Sequence, residues 1–174
     1  MIIRSADPQR DANACADIYA PYVVGSVASF EANAPPAAEI ARRMRAAHCW
    51  LLAERDGEIA GYAYGSTHNE RAAYRWAADV AIYIDAAHHR AGIGRALYAS
   101  LFERLRELGM WTLCAGVTLP NDASRGLHVA MGFVPVGTYR RIGWKDGAWR
   151  DVEWLQLDLR PGERGPPAES ATTD

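Results

Sequence analysis

The stretch from residue 81 to residue 108 limits the fold more than any other feature of this sequence. It reads as the end of a strand, a basic turn with two glycines, and a long amphipathic helix from Gly92 to Leu108. Glycine lets the main chain approach a ligand closely, and the first turn of a helix has unpaired N–H groups and a partial positive charge. The segment therefore favours an anion site suited to a diphosphate, to which Arg90 and Arg95 add charge.

Two other interpretations of the glycine turn have to be weighed. Glycines before a helix are often simple turn residues, and the bare pattern Gly92-x-Gly94 leaves that interpretation open. A dinucleotide-binding fingerprint would need a third glycine, but Leu97 stands at that position. The strand also follows a hairpin in mid-chain and does not open a β-α-β unit, so we reject a dinucleotide site.

Hydrophobic periodicity and turn residues predict the element order β-α-α-β-β-β-α-β-α-β-β. Asp56-Gly57 is a strong hairpin signal between two of the strands. Asp7 is expected to cap the first helix, which should end near Tyr19 because Pro21 follows. The other expected elements are strands at 2–4, 50–54, 58–65, 76–84, 111–118, 136–142 and 152–159, and helices that begin near residues 36, 92 and 121. The simplest architecture is an α/β fold with a mixed, mostly antiparallel central sheet and helices on both faces.

Length and charge exclude several classes of protein. The 174 residues fit one domain, assigned to residues 1–160, and the tail at 161–174 is rich in Pro, Gly and Ser and expected to be disordered. A net charge of −2 argues against a nucleic-acid partner. No apolar run approaches the about 20 residues of a membrane span, and no signal peptide is recognisable. We therefore expect a cytoplasmic protein with no membrane partner.

The cysteines support the same compartment. The three residues, Cys15, Cys49 and Cys114, are widely spaced and have apolar neighbours. No pair of them has the spacing of metal ligands, so we expect buried thiols, a reducing environment and no metal.

The glycine turn resembles the coenzyme A-binding motif of the GNAT acetyltransferases, Gln/Arg-x-x-Gly-x-Gly/Ala, with His89 at its first position. Within that superfamily the chain resembles the phosphinothricin and methionine sulfoximine N-acetyltransferases. The matching stretches are Ser29-Phe30-Glu31, Ala73-Tyr74-Arg75-Trp76, Ile82-Tyr83-Ile84, Leu119-Pro120-Asn121-Asp122-Ala123-Ser124, Leu127-His128, Gly132-Phe133 and Gly147-x-Trp149-x-Asp151-Val152. The resemblance implies a GNAT fold and acetyl-CoA-dependent acetylation of the amino group of a small amino-acid-like substrate. It also implies a homodimer.

The resemblance assigns the cofactor contacts to three parts of the chain. Main-chain N–H groups of the strand would pair with the pantetheine arm and polarise the thioester carbonyl, provided that the strand splays from its neighbour near Val117. Asn121 would bind the same arm, although it also suits the N-cap of a helix. The residues implied for the cofactor are Ile82, Tyr83, Ile84, Arg90, Ala91, Gly92, Ile93, Gly94, Arg95 and Asn121.

Two residues are candidates for the proton transfers. Asp79 occupies the position of the family's catalytic glutamate and is one methylene shorter, so it would act directly or through water; alternatively it caps a strand or pairs with an arginine such as Arg75. The resemblance also implies that His128 is the acid that protonates the leaving thiolate, because it stands in the penultimate helix where many GNAT enzymes carry a tyrosine and this subfamily a histidine; its alternative role is structural. We interpret His48, His88 and His89 as surface residues.

The acceptor site is expected on the loop before Asp79 and on the early loop. Arg71 and Arg75 suit a bidentate grip on a carboxylate or phosphinate, with Tyr74 beside them, but solvated loop arginines are the alternative. Phe30 lines the same pocket or packs in the core. Trp144, Trp149 and Trp154 are interpreted as core or dimer-interface residues.

Two further functions stay open at this stage. A protein N-terminal or lysine acetyltransferase would need an open peptide groove. A catalytically silent acyl-coenzyme A sensor would keep the glycine turn and lose the base.

Overall fold

A computed structural model describes residues 1–165 of the chain, so residues 166–174 of the predicted tail lie outside the described residues. The predicted order of strands and helices is confirmed. The elements are β1 Ile2–Ser5, α1 Ala12–Val24, α2 Ala37–Ala46, β2 Cys49–Arg55, β3 Glu58–Thr67, β4 Ala77–Ile84, α3 Ile93–Glu107, β5 Thr112–Thr118, α4 Asp122–Ala130, β6 Val134–Lys145 and β7 Ala148–Asp158. Short 3₁₀ turns lie at 72–74 and 86–88.

The prediction for the first helix was wrong at both ends. Asp7 closes a turn, with its carbonyl accepting from the N–H of Asp11 at 2.8 Å, and α1 begins only at Ala12. The helix then runs through Pro21 to Val24. Proline removes one helical hydrogen bond, but buried α1 side chains such as Val23 pack against α2 and the sheet, and this packing outweighs the local preference.

The seven strands form one sheet in the order β1-β2-β3-β4-β5-β7-β6. Every neighbouring pair is antiparallel except β4 and β5, which are parallel. That parallel pairing covers only three positions, from Ala77↔Thr112 to Asp79↔Cys114. The sheet is therefore mixed and mostly antiparallel, as predicted, with its weakest junction at Asp79.

Two hydrophobic cores lie on opposite faces of the sheet. One is formed by α3, whose stripe Leu97, Leu101 and Leu105 is fully buried. The other lies under α1 and α2 and centres on Trp50 and Tyr62, whose rings stack 5.1 Å apart. The predicted helices on both faces are thus confirmed, and the two cores hold β4 between them.

The three cysteines were expected to be buried thiols. Cys15 is fully buried, while Cys49 and Cys114 are half-buried, and all three thiols are free. Burial raises the pKa of the Cys15 thiol to about 12, so it is inert as a nucleophile.

Within residues 1–165 no helix combines the length and the apolar character that crossing a membrane requires.

Candidate active site

A cleft opens where β4 and β5 separate beyond Asp79. From residue 80 to residue 84, β4 pairs with β3 alone, and from residue 115 to residue 118, β5 pairs with β7 alone. The cleft has a volume of about 830 Å³ and is lined by both strands, the glycine turn and α4. The splay expected near Val117 is therefore present, and main-chain groups of β4 face the opening.

Only alternate N–H groups of β4 face this cleft. The N–H of Asp85 donates to the carbonyl of Ala60 on β3 at 3.0 Å, and strand alternation turns the N–H of Tyr83 the same way. The N–H groups of Ile82 and Ile84 point to the open side, and that of Ile84 lies 3.3 Å from the Tyr22 hydroxyl. Ile82 is thus the residue of the predicted trio whose N–H is best placed for a ligand.

The glycine turn has the backbone geometry of an anion site. Gly92 is the N-cap of α3 at φ 78°, a left-handed conformation that favours glycine. No side chain caps the helix, which leaves its first N–H groups directed at the cleft. Arg90 and Arg95 are exposed, and both line the cleft together with Gly92, Ile93 and Gly94. Ala91, also predicted for the cofactor, is not among the lining residues.

Two histidines beside this turn, interpreted from the sequence as surface residues, lie at the surface of the cleft: His89 is exposed and His88 is half-buried. His88 and His89 both line the cleft. Nε2 of His89 lies 3.1 Å from the carbonyl of Ile84, which also accepts a 2.6 Å hydrogen bond from the Tyr22 hydroxyl. Through these two contacts, His89 and Tyr22 connect the C-terminal end of β4 to α1. Local sequence patterns contain no signal for this contact, because residues 22 and 89 are far apart along the chain and meet only across the cleft.

The wall opposite β4 is built by α4. Asn121 caps this helix, with its side-chain oxygen accepting from the N–H of Ser124 at 3.1 Å, and it also lines the cleft. His128 is buried, and its Nδ1 lies 2.8 Å from the carbonyl of Ser124. A carbonyl only accepts, so Nδ1 carries the hydrogen, and Nε2 accepts from the Tyr98 hydroxyl at 2.8 Å. Burial lowers the pKa of His128, and both ring nitrogens of the neutral form are satisfied.

A second cavity meets the cleft at Ala28 and Gly116, which line both. It measures about 460 Å³. Its other lining residues are Phe30, Asp79, Thr118, Tyr139, Ile142, Val152 and Trp154. Asp79 thus lies in a small cavity that opens into the end of the cleft, as an acceptor pocket beside a cofactor channel would require.

Asp79 is half-buried and bonded to a histidine that the sequence analysis did not select. Nδ1 of His68 lies 2.6 Å from Oδ1 of Asp79. Burial raises the pKa of the Asp79 carboxyl, and the hydrogen bond from His68 opposes that rise. The register of the β3–β4 hairpin, which pairs Ser66 with Asp79, places residue 68 beside the carboxylate. That register was the signal that could have found it.

Cys114 completes a small cluster with this pair. The donor atoms of His68, Asp79 and Cys114 lie within 4.8 Å of one another, and they are the one group among residues 1–165 close enough to share a metal ion. The hydrogen bond between two of its members accounts for the arrangement without one. The absence of a metal from the function stays a prediction.

Comparison with known proteins identifies the family. Residues 14–133 match the model of the acetyltransferase (GNAT) family. This protein belongs to the GNAT family. The GNAT chain is 38% identical over 159 residues to phosphinothricin N-acetyltransferase from Alcaligenes faecalis, a match that covers 88% of this chain and 80% of that enzyme.

Two further relatives set the extent of the likeness. Phosphinothricin N-acetyltransferase from Streptomyces viridochromogenes is 38% identical over 117 residues, a match that spans 67% of this chain and only 64% of that enzyme. A crystal structure of a GNAT superfamily phosphinothricin acetyltransferase from Sinorhizobium meliloti, in complex with acetyl-CoA, superposes with a TM-score of 0.91 at 31% identity. The superposition covers 99% of this chain and 96% of that one.

The predicted acceptor residues of this GNAT protein divide into two groups. Phe30 lines the second cavity, and its contact with an acceptor stays a prediction. Arg71, Tyr74 and Arg75 lie exposed on the loop before β4 and are not among the lining residues. The Arg75 guanidinium lies 4.0 Å from the centre of the Trp76 ring, and Tyr74 packs with its ring 5.7 Å from His68. The sequence left open a pairing of Asp79 with an arginine such as Arg75, and the structure bonds Asp79 to His68 instead.

The loop that carries Phe30 is held at both sides. Glu31 forms an ion pair with Arg43 at 2.6 Å. From the other side, Nζ of Lys145 donates to the carbonyls of Val23 and Glu31, both at 2.8 Å. Phe30 therefore has a fixed place in the wall, against the main chain of Gly143 on β6, where a Cβ atom would overlap the ring.

We expect Gly143→Ala to displace Phe30 and to raise KM for the acceptor several-fold while leaving KM for acetyl-CoA unchanged. The reason is steric, because Phe30 lines the second cavity, where the acceptor is expected, and does not line the cleft beside the glycine turn, where acetyl-CoA is expected. Steady-state kinetics with each substrate varied in turn measures both constants. Gly137→Ala on the same strand is the matched control, since a Cβ there meets open space. Equal effects of the two substitutions would contradict the assignment of Phe30 to the acceptor pocket.

Proposed function

We propose that this protein is an acetyl-CoA-dependent N-acetyltransferase acting on a small amino-acid-like amine, such as phosphinothricin, methionine sulfoximine or methionine sulfone. The observation that carries the proposal is the position of Asp79 in a cavity of about 460 Å³ that joins the cleft at Ala28 and Gly116. A carboxylate is thereby presented where a cofactor channel and an acceptor pocket meet. The names and the fold of the relatives point to the same chemistry.

The cleft suits an extended nucleotide thioester. The diphosphate would lie on the N–H groups at the start of α3, with Arg90 and Arg95 adding charge. Gly92 suits this turn, because its φ of 78° is strained for residues with a side chain and nothing lies within 4 Å of where a Cβ would be. Asn121 would bind the pantetheine arm along the splayed edge of β4. Acetyl-CoA is thus the co-substrate whose acetyl group reaches the junction of the two cavities.

Asp79 supplies the base in this proposal. An amine must be neutral to attack a thioester, and a peptide-like α-amino group with a pKa of about 7.7–8.0 is only roughly a tenth neutral at pH 7. Asp79 takes the proton directly or through one water. The N–H of Ile82 then stabilises the developing oxyanion, an interaction that contributes about 3 kcal/mol in comparable sites.

For His128 we propose a structural role in place of the acid role that the resemblance implies. The acid would have to be an imidazolium, and burial disfavours that charged form. The hydrogen of Nδ1 is engaged by Ser124, and Nε2 is engaged by Tyr98. His128 thus fixes α4 against α3 at the wall of the cleft, and the leaving thiolate takes its proton from solvent or from the attacking amine.

Arg71, Tyr74 and Arg75 keep a proposed role in capturing the acceptor's acidic group before it enters the cavity. Tyr74 connects their loop to the base through its contact with His68. The alternative acceptors, protein N-termini and lysines, fit the small cavity less well. A silent acyl-coenzyme A sensor is also disfavoured, because the carboxylate is in place.

The direct test is release of free thiol from acetyl-CoA in the presence of a panel of amino acids, their analogues and short peptides. We expect release with the small amino-acid analogues. Release with peptides alone would favour protein acetylation, and binding of acetyl-CoA without turnover on any acceptor would favour the sensor.

We expect Asp79→Asn to lower kcat by about 100-fold or more, with the Kd of acetyl-CoA changed by less than about twofold. In the native protein kcat/KM should rise with pH through the Asp79 pKa, which burial holds above the usual carboxyl value. The active form is the ionised one, so activity is lost as pH falls. Thiol-release kinetics from pH 5 to 9 and calorimetry measure these quantities. An unchanged rate and pH profile in Asp79→Asn would remove Asp79 from the mechanism.

We further propose a cytoplasmic homodimer that associates through the hairpin of β6 and β7. Its outer face exposes large apolar side chains, a pattern typical of interaction surfaces. The residues are Val134, Val136, Trp144 and Trp149, each 50–62% exposed. We expect sedimentation equilibrium to give twice the monomer mass and Trp144→Glu to lower it towards 19.1 kDa. A monomeric native protein would exclude this interface.

A further inference from the structure

His68 holds one oxygen of the proposed base and leaves the other open. A carboxylate only accepts hydrogen bonds, so Nδ1 of His68 is the donor in the 2.6 Å contact with Oδ1 of Asp79. Among residues 1–165 no second side chain is bonded to this carboxylate. Oδ2 is therefore the atom of Asp79 left for a proton from the acceptor cavity, which Asp79 lines.

The imidazole itself is held in place by the groups around it. His68 directly follows the last residue of β3, Thr67, which pairs with Ala78. The ring meets that of Trp154 edge-on, at 6.2 Å and 86°. Trp154 lines the acceptor cavity, whereas His68 is not among its lining residues. The histidine thus stands behind the carboxylate as seen from the cavity, where it can orient Asp79 without touching the amine.

We propose that His68 is the positioning residue of the general base, holding Oδ1 of Asp79 so that Oδ2 faces the acceptor amine. This inference rests on the proposed function, in which Asp79 takes the amine proton. It adds a residue to the machinery that neither the glycine turn nor the acceptor cavity includes.

The proton balance follows from this arrangement. An N–H bond of the substrate ammonium breaks, its proton passes to Oδ2, and the electron pair stays on nitrogen. The nitrogen then bonds to the thioester carbon, the C–S bond breaks, and the second amine proton goes to the sulfur through water. His68 keeps its Nδ1 hydrogen throughout, and Asp79 returns its proton to solvent before the next turnover.

The electrostatics of the pair agree with this role. Burial raises the pKa of Asp79, whereas the hydrogen bond from His68 opposes that rise by favouring the ionised form. Within residues 1–165, Tyr64 and Cys114 interact electrostatically with Asp79, and burial raises their pKa values to about 12 and about 11. Both stay neutral between pH 5 and 9. Tyr139 lines the same cavity as Asp79. The Tyr74 ring packs against the His68 ring, with the ring centres 5.7 Å apart.

Two matched variants separate positioning from packing. His68→Phe keeps an aromatic ring and removes the donor, whereas His68→Asn keeps a donor near the Nδ1 position and removes the ring. For His68→Phe we expect kcat to fall about 10- to 100-fold at pH 7 with KM for acetyl-CoA unchanged. The acidic limb of its kcat/KM profile should move to higher pH, because the effect of burial on the Asp79 pKa is then unopposed. His68→Asn should keep most of the activity and the native profile.

The reverse order, with His68→Phe active and His68→Asn impaired, would assign His68 to packing and overturn the inference. A second readout does not need turnover: the ¹³C resonance of the Asp79 carboxyl, titrated in the native protein and in His68→Phe. We expect the variant to titrate at higher pH, and coincident curves would also overturn the inference. If the native protein acetylates no acceptor, the proposed function fails, and this titration still decides whether His68 controls the carboxylate.

Discussion

The separation of β4 from β5 after Asp79 is the constraint on which the rest of the site depends. A continuous parallel pair would use the N–H groups of Ile82 and Ile84 within the sheet and would close the cleft. Pairing that stops after three positions leaves those groups facing a cavity of about 830 Å³. The two cores pack on opposite faces of the sheet, and β4 stays paired with β3 along its whole length. The opening between β4 and β5 therefore leaves the rest of the sheet intact. The gap between β4 and β5 is therefore the cleft of the candidate site.

Asp79 stands at the last paired position, and its location explains its properties. It is close enough to the core for burial to raise its pKa and close enough to the gap to line the acceptor cavity. A half-buried carboxylate with no partner would lose its charge readily. The hydrogen bond from His68 offsets that tendency, and it leaves one carboxylate oxygen towards the cavity. One contact at the end of a hairpin thus favours the charged form of this carboxylate and holds one of its two oxygens.

Much of the fold could be predicted from the sequence, because it follows from local patterns. The period of α3, the hairpin at Asp56-Gly57 and the glycine turn each express a preference of a short segment, and each is confirmed. The prediction for α1 failed for the opposite reason. Pro21 is a local signal to stop, and packing of the helix against α2 and the sheet overrides it. The loop arginines were a weaker inference, because residue type alone says nothing of which cavity a side chain reaches.

The sequence by itself determined the order of elements, the turn at Gly92 that begins α3 and the resemblance from which Asp79 was predicted, since all three are encoded over a few adjacent residues. Only the tertiary structure decided which groups surround Asp79 and His128. His68 reaches Asp79 through strand register, and Tyr98 reaches His128 by the packing of α3 against α4. Such contacts join residues distant along the chain, and their distances follow from how two cores pack against one sheet. Local sequence patterns contain no measure of that packing.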